Sequence, residues 1–325
     1  MADQQRSKDS TRRTLIWADD EQSKLLRDVI DAASLQPTAI GSDDDTVAAD
    51  LASQFDIERV EDLRQAVQRE DLDLIWLAGA APVDADILQI IRKANARAVA
   101  CEPAPASVHD LLHQPQLAGI VRFVPLMRRS PGYRPAMEVL NDFGRIECIN
   151  VFLRSGQGQG TLLSRLYDAM DVTHQLCGPA ETIMASLYSP FATVPNELAG
   201  LTGHMTVNMR FADNRCACVA VSDRAGRWFQ GITVLGEGGC LRIDHNSFQW
   251  IGHDGSTLDE HKDEGWHTPG DAIASELNRL LERREPIEPP VDSAILLALC
   301  EAALLSCRTG QGETPAKMLE MLRRP

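Results

Sequence analysis

Between residues 14 and 124 the hydrophobic period switches repeatedly from that of a strand to that of a helix, and this alternation constrains the fold more than any single residue. TLIWA (14–18) is a short apolar β-type run, and after it Leu25, Leu26, Val29, Ile30 and Ala33 make one stripe of a helix. Residues 38–41 predict a second strand, Val47, Leu51 and Phe55 a helix, and 63–67 another. A continuous apolar strand follows at 72–78, then a helix striped by Val83, Ile87, Ile90, Ile91 and Ala94, and strands at 98–101 and 120–124 before Pro125. Uninterrupted apolar strands separated by amphipathic helices need a parallel sheet covered on both faces. Residues 14–126 are therefore predicted to form a doubly wound, Rossmann-type, nucleotide-binding-like domain.

The pattern then changes. After a helix at 133–141 closed by Gly144, short strand-like runs appear at 146–153, 183–187, 205–211, 217–222, 229–235 and 241–243, punctuated by Gly, Asn and Asp. One helix, 162–176, interrupts them, and two more, 272–283 and 293–307, follow. This predicts an α+β domain over 127–325 with a mainly antiparallel open sheet, serving substrate binding and oligomerisation, whose C-terminal helices pack back on the first domain. At 325 residues the chain exceeds what one core supports, which agrees with two domains. Residues 1–13 are polar and charged, without the apolar core of a signal peptide, and read as a disordered tail.

A net charge of -15 disfavours nucleic acid as a partner. The best candidate membrane segment, 294–305, is too short and is interrupted by Cys300 and Glu301. The expectation is a soluble cytoplasmic protein without a membrane partner. Eight cysteines without a C-x-x-C pair read as reduced, mostly buried thiols. Cys216 and Cys218 share one strand face, where burial with a period of two explains them better than a metal does. His245, His253, His261 and His267, among Asp254, Asp259, Glu260, Asp263 and Glu264, lack helical ligand spacing and read as a solvated acidic loop, so no metal is expected.

The collinear order of these elements, with VACEPAPAS (99–107), GTLLSRLYDAMDVTHQLCG (160–178) and PIEPPVDSAILLALCEAALLSCRTG (286–310), resembles the glucose-fructose oxidoreductase, inositol dehydrogenase and MocA family over nearly the whole chain. The resemblance implies an NAD(P)-dependent oxidoreductase, with the nucleotide in the crevice at the strand C-termini. It places the cofactor at Ala18, Asp19, Ser42, Asp43, Ala78, Gly79 and Glu102. Several of these positions depart from the family pattern. The glycine-rich turn, through which a backbone approaches pyrophosphate, reads Ala18, Asp19, Asp20, Glu21, with three carboxylates where phosphate charge would sit. Those carboxylates also suit a bare helix N-terminus without any ligand. The ribose-binding acid falls on Ser42, with Asp43 one residue on, although Ser-Asp-Asp before a helix is also an ordinary cap. No arginine follows that strand closely, so NAD is favoured over NADP.

The family's Glu-Lys-Pro tripeptide reads Glu102, Pro103, Ala104, Pro105, and Pro103 has no proton to give in the lysine's place. The paired aspartate and histidine of the second-domain helix fall on Ser164 and Asp168, while Asp171 matches a further family aspartate. His174, one turn on, is the local replacement acid or base, or else a structural histidine. Glu102, Asp168, Asp171 and His174 are the candidate catalytic residues. Three readings follow: an oxidoreductase-like protein that has lost hydride transfer but holds a small metabolite or nucleotide; an active NAD-dependent dehydrogenase of a sugar, polyol or related hydroxyl compound with rearranged roles; and a non-catalytic structural or regulatory partner. The last expects a homodimer or tetramer through the second-domain sheet, with MTVNMRF (205–211) and CVAVS (218–222) supplying apolar alternation.

Overall fold

The computed structural model describes residues 13–323 apart from 34, 70–71, 80, 82, 95, 114–118, 157, 266–267 and 283–291. Of the tail expected over 1–13, residues 1–12 lie outside the described residues, as does His267, whereas Arg13 instead opens the first strand, paired in register with Gln36 of the second. The first sheet has six parallel strands in the order β3-β2-β1-β4-β5-β6: β1 (Arg13–Trp17), β2 (Gln36–Gly41), β3 (Glu58–Val60), β4 (Leu74–Leu77), β5 (Arg97–Ala100) and β6 (Val121–Phe123). The strand order reverses between β1 and β4, so the loops leaving these two strands diverge to opposite faces and open a crevice at their C-terminal ends. Helices α1 (Ser23–Ala33), α2 (Asp45–Phe55), α3 (Leu63–Ala66), α4 (Ala85–Lys93) and α5 (Val108–His113) connect them.

Because β1 and β4 are buried on both faces, their residues divide between two cores. Ile16, Leu74 and Trp76 join Leu26 and Val29 of α1 on one side, and Leu15, Trp17, Ile75 and Leu77 join Leu88 and Ile91 of α4 on the other. The first core also takes Ile273, Ala274 and Leu277 from α8 (Pro269–Leu281), which comes from the far end of the chain to lie along α1. Thr268 and Asp271 start α8 with a reciprocal cap, and Pro269 supplies a preset first turn.

The linking helix α6 (Tyr133–Val139) leads to an eight-stranded sheet in the order β14-β13-β12-β11-β7-β10-β9-β8. Its strands are β7 (Ile146–Arg154), β8 (Thr182–Tyr188), β9 (His204–Arg210), β10 (Cys216–Ser222), β11 (Phe229–Gly236), β12 (Gly239–Asp244), β13 (Ser247–Ile251) and β14 (Thr257–Lys262). The pairing is antiparallel throughout except between β7 and β10. One face, with Ile149, Val151 and Leu153 of β7, Val207 of β9 and Val219 of β10, packs on α7 (Leu162–Cys177) and α9 (Ser293–Thr309); α10 (Pro315–Arg323) lies against α9. Among the described residues, no helix is long and apolar enough to cross a membrane.

Several sequence expectations need correction. The stretch read as a solvated acidic loop forms the β13–β14 hairpin; His261 stacks on Phe248, and the ring of exposed His253 reaches the Glu237 carbonyl at 3.0 Å. β14 shows no alternation because all six of its residues are exposed, leaving a strand pattern nothing to bury. The cysteines are less buried than expected: all eight are free thiols, only Cys177 and Cys300 are buried, and Cys216 is exposed. Cys216 and Cys218 alternate with the buried Ala217 and Val219 and so lie on the open face. The apolar alternation of 205–211 and 217–222 faces α7 and α9, leaving His204, Thr206, Asn208 and Arg210 on the outside.

Candidate active site

Where β1 ends, the chain enters one 3₁₀ turn, Asp20–Gln22, before α1. Gln22 is buried, and its amide links both sides of the crevice: Nε2 donates to the Ala78 carbonyl at 2.8 Å, while Oε1 accepts the Asp19 N–H at 3.1 Å. The Gln22 N–H in turn donates to the Asp19 carbonyl at 3.0 Å. A Cβ on Gly79, just beyond β4, would fall 2.5 Å from Asp19 Oδ2 and 2.9 Å from Gln22 Oε1. Side chains of the first turn therefore fill the space over Gly79, and two of the turn's amides are taken up within it. Gln22 was missed by sequence reasoning, since a glutamine in a first turn looks like a helix surface.

At the end of β2, Trp17 packs against Gly41, where a Cβ would overlap its ring, and donates its indole N–H to Asp43 Oδ1 at 3.1 Å. Partial burial raises the Asp43 carboxyl and the indole bond opposes that shift. Ser42 is buried. The cap of α2 is Asp44, which accepts from the amides of Thr46 and Val47, so the capping role falls one residue after Asp43.

Beyond β5, Glu102 is buried and accepts the Thr161 N–H at 3.0 Å and the Thr161 hydroxyl at 2.5 Å. Thr161 is the N-cap of α7, its hydroxyl also accepting the Ser164 N–H at 3.1 Å. Glu102 thus occupies the positive end of α7 and joins the two domains. Burial raises its carboxyl above the usual range, while the Thr161 donors and the nearby Arg165 guanidinium pull it back. Pro103 beside it is buried and offers no proton.

Helix α7 buries an unusual polar row. Asp168, with no exposed surface, accepts the Met127 N–H at 3.1 Å through Oδ2, and its Oδ1 has no hydrogen-bond partner. Burial pushes its carboxyl up to about 7, against the opposing pull of Arg165. Asp171 pairs with Arg128 at 3.2 Å, both buried, which makes it a structural ion-pair member. His174 is half-buried with Nδ1 unpartnered. Arg165, 1% exposed, has Nε and Nη1 unpartnered, and Gln230, buried on β11 beside Leu153, lacks a partner for either amide atom. These two gave no sequence signal, since arginine and glutamine are ordinarily surface residues.

A cavity of about 530 Å³ opens between the domains, lined by Asp19, Glu21, Gln22, Glu102, Thr161, Thr202, Asp223 and Arg224 with glycines 156, 158, 160 and 226. The structure brings Asp19 and Glu102 together there; Ser42, Asp43, Asp168, Asp171 and His174 do not line it. Among the described lining residues four carboxylates face one arginine, an environment suited to hydroxyl or amine donors rather than pyrophosphate, since each close like-charge pair costs on the order of a kcal/mol or more. Among the described residues no cluster of three or more His, Cys, Asp or Glu could hold a metal ion.

No family model and no curated protein matches the chain. Solved structures do. An oxidoreductase from Agrobacterium radiobacter, solved with NAD+, L-tartaric acid and magnesium, superposes with a TM-score of 0.70 at 15% identity, covering 95% of this chain and 100% of the other. Levoglucosan dehydrogenase in complex with NADH and levoglucosan gives 0.71 at 14% identity over 93% and 98%. An NAD-binding oxidoreductase from Klebsiella pneumoniae gives 0.68 at 14% identity over 94% and 99%. What is shared at these identities is architecture: the chain has the two-domain fold of the glucose-fructose oxidoreductase, inositol dehydrogenase and MocA type of oxidoreductase.

Proposed function

We propose that this protein is a non-hydride-transferring relative of these dehydrogenases, which keeps the interdomain cavity for a small polar metabolite and does not bind a dinucleotide. The observation that carries the reading is the self-filled first turn. Asp19 and Gln22 cover Gly79 and use each other's amides, so a pyrophosphate would have to displace the buried Gln22 amide from the Ala78 carbonyl. Displacing it leaves buried donors and acceptors unmade, at about 1–3 kcal/mol each. Pro103 at the lysine position and Asp43 held by Trp17 support the same reading.

The test is thermal unfolding with NAD, NADH, NADP and NADPH, each in millimolar excess. A ligand at about 100 times its Kd adds roughly 2.7 kcal/mol to the native state, several degrees for a chain of this size. No shift is expected with any of the four; a rise of several degrees with one of them overturns the proposal.

The second reading, an active NAD-dependent dehydrogenase of a hydroxyl compound, is favoured by one observation. Asp168 has its carboxyl raised by burial to about 7, the range where a general acid or base works at neutral pH. It has no exposed surface and does not line the cavity, however, so α7 would have to shift for it to reach a substrate. Reduction of NAD over a panel of polyols and sugars would establish that reading and dismiss the first.

A further inference from the structure

Away from the crevice, the open face of the second sheet carries a group of thiols that no role in the cavity explains. Cys148 of β7 and Cys216 of β10 are direct register partners in the sheet's parallel pair. Both alternate with buried neighbours, Ile149 and Ala217, and so project from the same open face. The Cys216 thiol is close enough to Cys148 to perturb its ionisation, and the Cys148 thiol itself donates to the Ile149 carbonyl at 3.9 Å. Adjacent strands run about 4.8 Å apart, inside the roughly 4.4–6.8 Å Cα separation that a disulfide accepts, and closing the bond requires the two Cβ atoms to lean together by a few tenths of an ångström.

The two thiols differ in exposure. Cys216 is exposed, whereas Cys148 is half-buried. Burial and the neighbouring cysteines push the Cys148 thiol up to about 11, keeping it protonated. Cys218, next on the same face, is paired across the strands with Asn150, and Cys177 is buried at the end of α7.

We propose that Cys148 and Cys216 form a dithiol oxidised by hydroperoxides, which closes to a disulfide tying β7 to β10. The exposed Cys216 sulfur attacks a peroxide oxygen, breaking the O–O bond; with hydrogen peroxide one water leaves and Cys216 becomes a sulfenic acid. The Cys148 sulfur then attacks the Cys216 sulfur, the S–O bond breaks, and the Cys148 proton leaves with the hydroxide as a second water. Two thiols are oxidised by two electrons and one peroxide is reduced to two waters.

The experiment treats the reduced full-length chain with hydrogen peroxide, alkylates the remaining thiols, and reads intact mass and linked peptides. Expected are the loss of two of the eight alkylatable thiols, a fall of about 2 Da before alkylation, one peptide pair joining 148 to 216, full reversal by dithiothreitol, and a higher urea midpoint for the oxidised chain. Cys148→Ser should stop the reaction at a sulfenic acid on Cys216 that dimedone traps, and Cys216→Ser should leave the remaining thiols free. Retention of all eight thiols in the wild-type chain overturns the proposal. So does a link through Cys177 or Cys218, or a dimedone adduct on Cys148. The wild-type mapping decides the matter even if a variant fails to fold.

Discussion

A carboxyl group cut off from water ionises only as far as neighbouring donors and cations replace the solvent, and at Asp168 they do so incompletely. One oxygen accepts the Met127 amide and the other has no partner; Arg165 and Arg128 pull the pKa down, and burial together with Asp171 drives it up to about 7. The unfolded value is near 3.8, so the native state binds the proton more tightly than the unfolded chain. The resulting stability is fully present below about pH 4 and is lost as pH rises through about 7. Urea midpoints measured from pH 5 to pH 8 should therefore show Asp168→Asn gaining on the wild type as pH rises, because the amide cannot ionise. A difference between the two proteins that stays constant over that window would mean that Asp168 does not titrate there.

At the scale of elements, α8 shows how one charge can seat a helix. Glu276 is 2% exposed and is surrounded by three arginines: Arg279 on its own helix, Arg129 at 3.2 Å and Arg122 of β6 at 3.5 Å. Burial alone would raise its pKa, but these cations hold it below the usual carboxylate range. Glu276→Ala would leave Arg279 buried without its counter-charge, and a loss of about 3–5 kcal/mol in urea unfolding is expected; a loss under about 1 kcal/mol would show that water replaces the carboxylate. The helix itself was legible from its apolar stripe, as were β1, β4 and the parallel sheet, because each buries a periodic face. Strands β13 and β14 and the short β3 were not, since β3 and β14 bury no residue and β13 only one. The site was legible where a residue type is diagnostic, as with Pro103 or the acidic first turn. It was not legible at Gln22, Arg165 and Gln230, polar residues whose burial depends on neighbours remote in the chain.

Over the whole molecule, Val108, Leu111 and Phe123 of the first domain pack into the core of the second sheet, and a few polar contacts and a close backbone approach add to the join. Glu102 holds Thr161, Met127 donates to Asp168, Arg128 pairs with Asp171, and Gly158, at φ +72°, lies so near the first turn that a Cβ would overlap the Glu21 carbonyl oxygen. The glycine is needed twice over, for its left-handed backbone and for the absence of a side chain. Gly158→Ala carries about 1 kcal/mol of backbone strain and in addition must push the 156–160 loop away from the turn that Asp19 and Gln22 fill. If loop and turn form one packed unit, the variant should melt several degrees lower. The amides of Asp19 and Gln22, bonded to Gln22 Oε1 and the Asp19 carbonyl, should then exchange hydrogen faster than in the wild type. A lower melting temperature with unchanged protection at those two amides would instead confine the strain to the loop, and the first turn would then hold its self-filled form without the second domain.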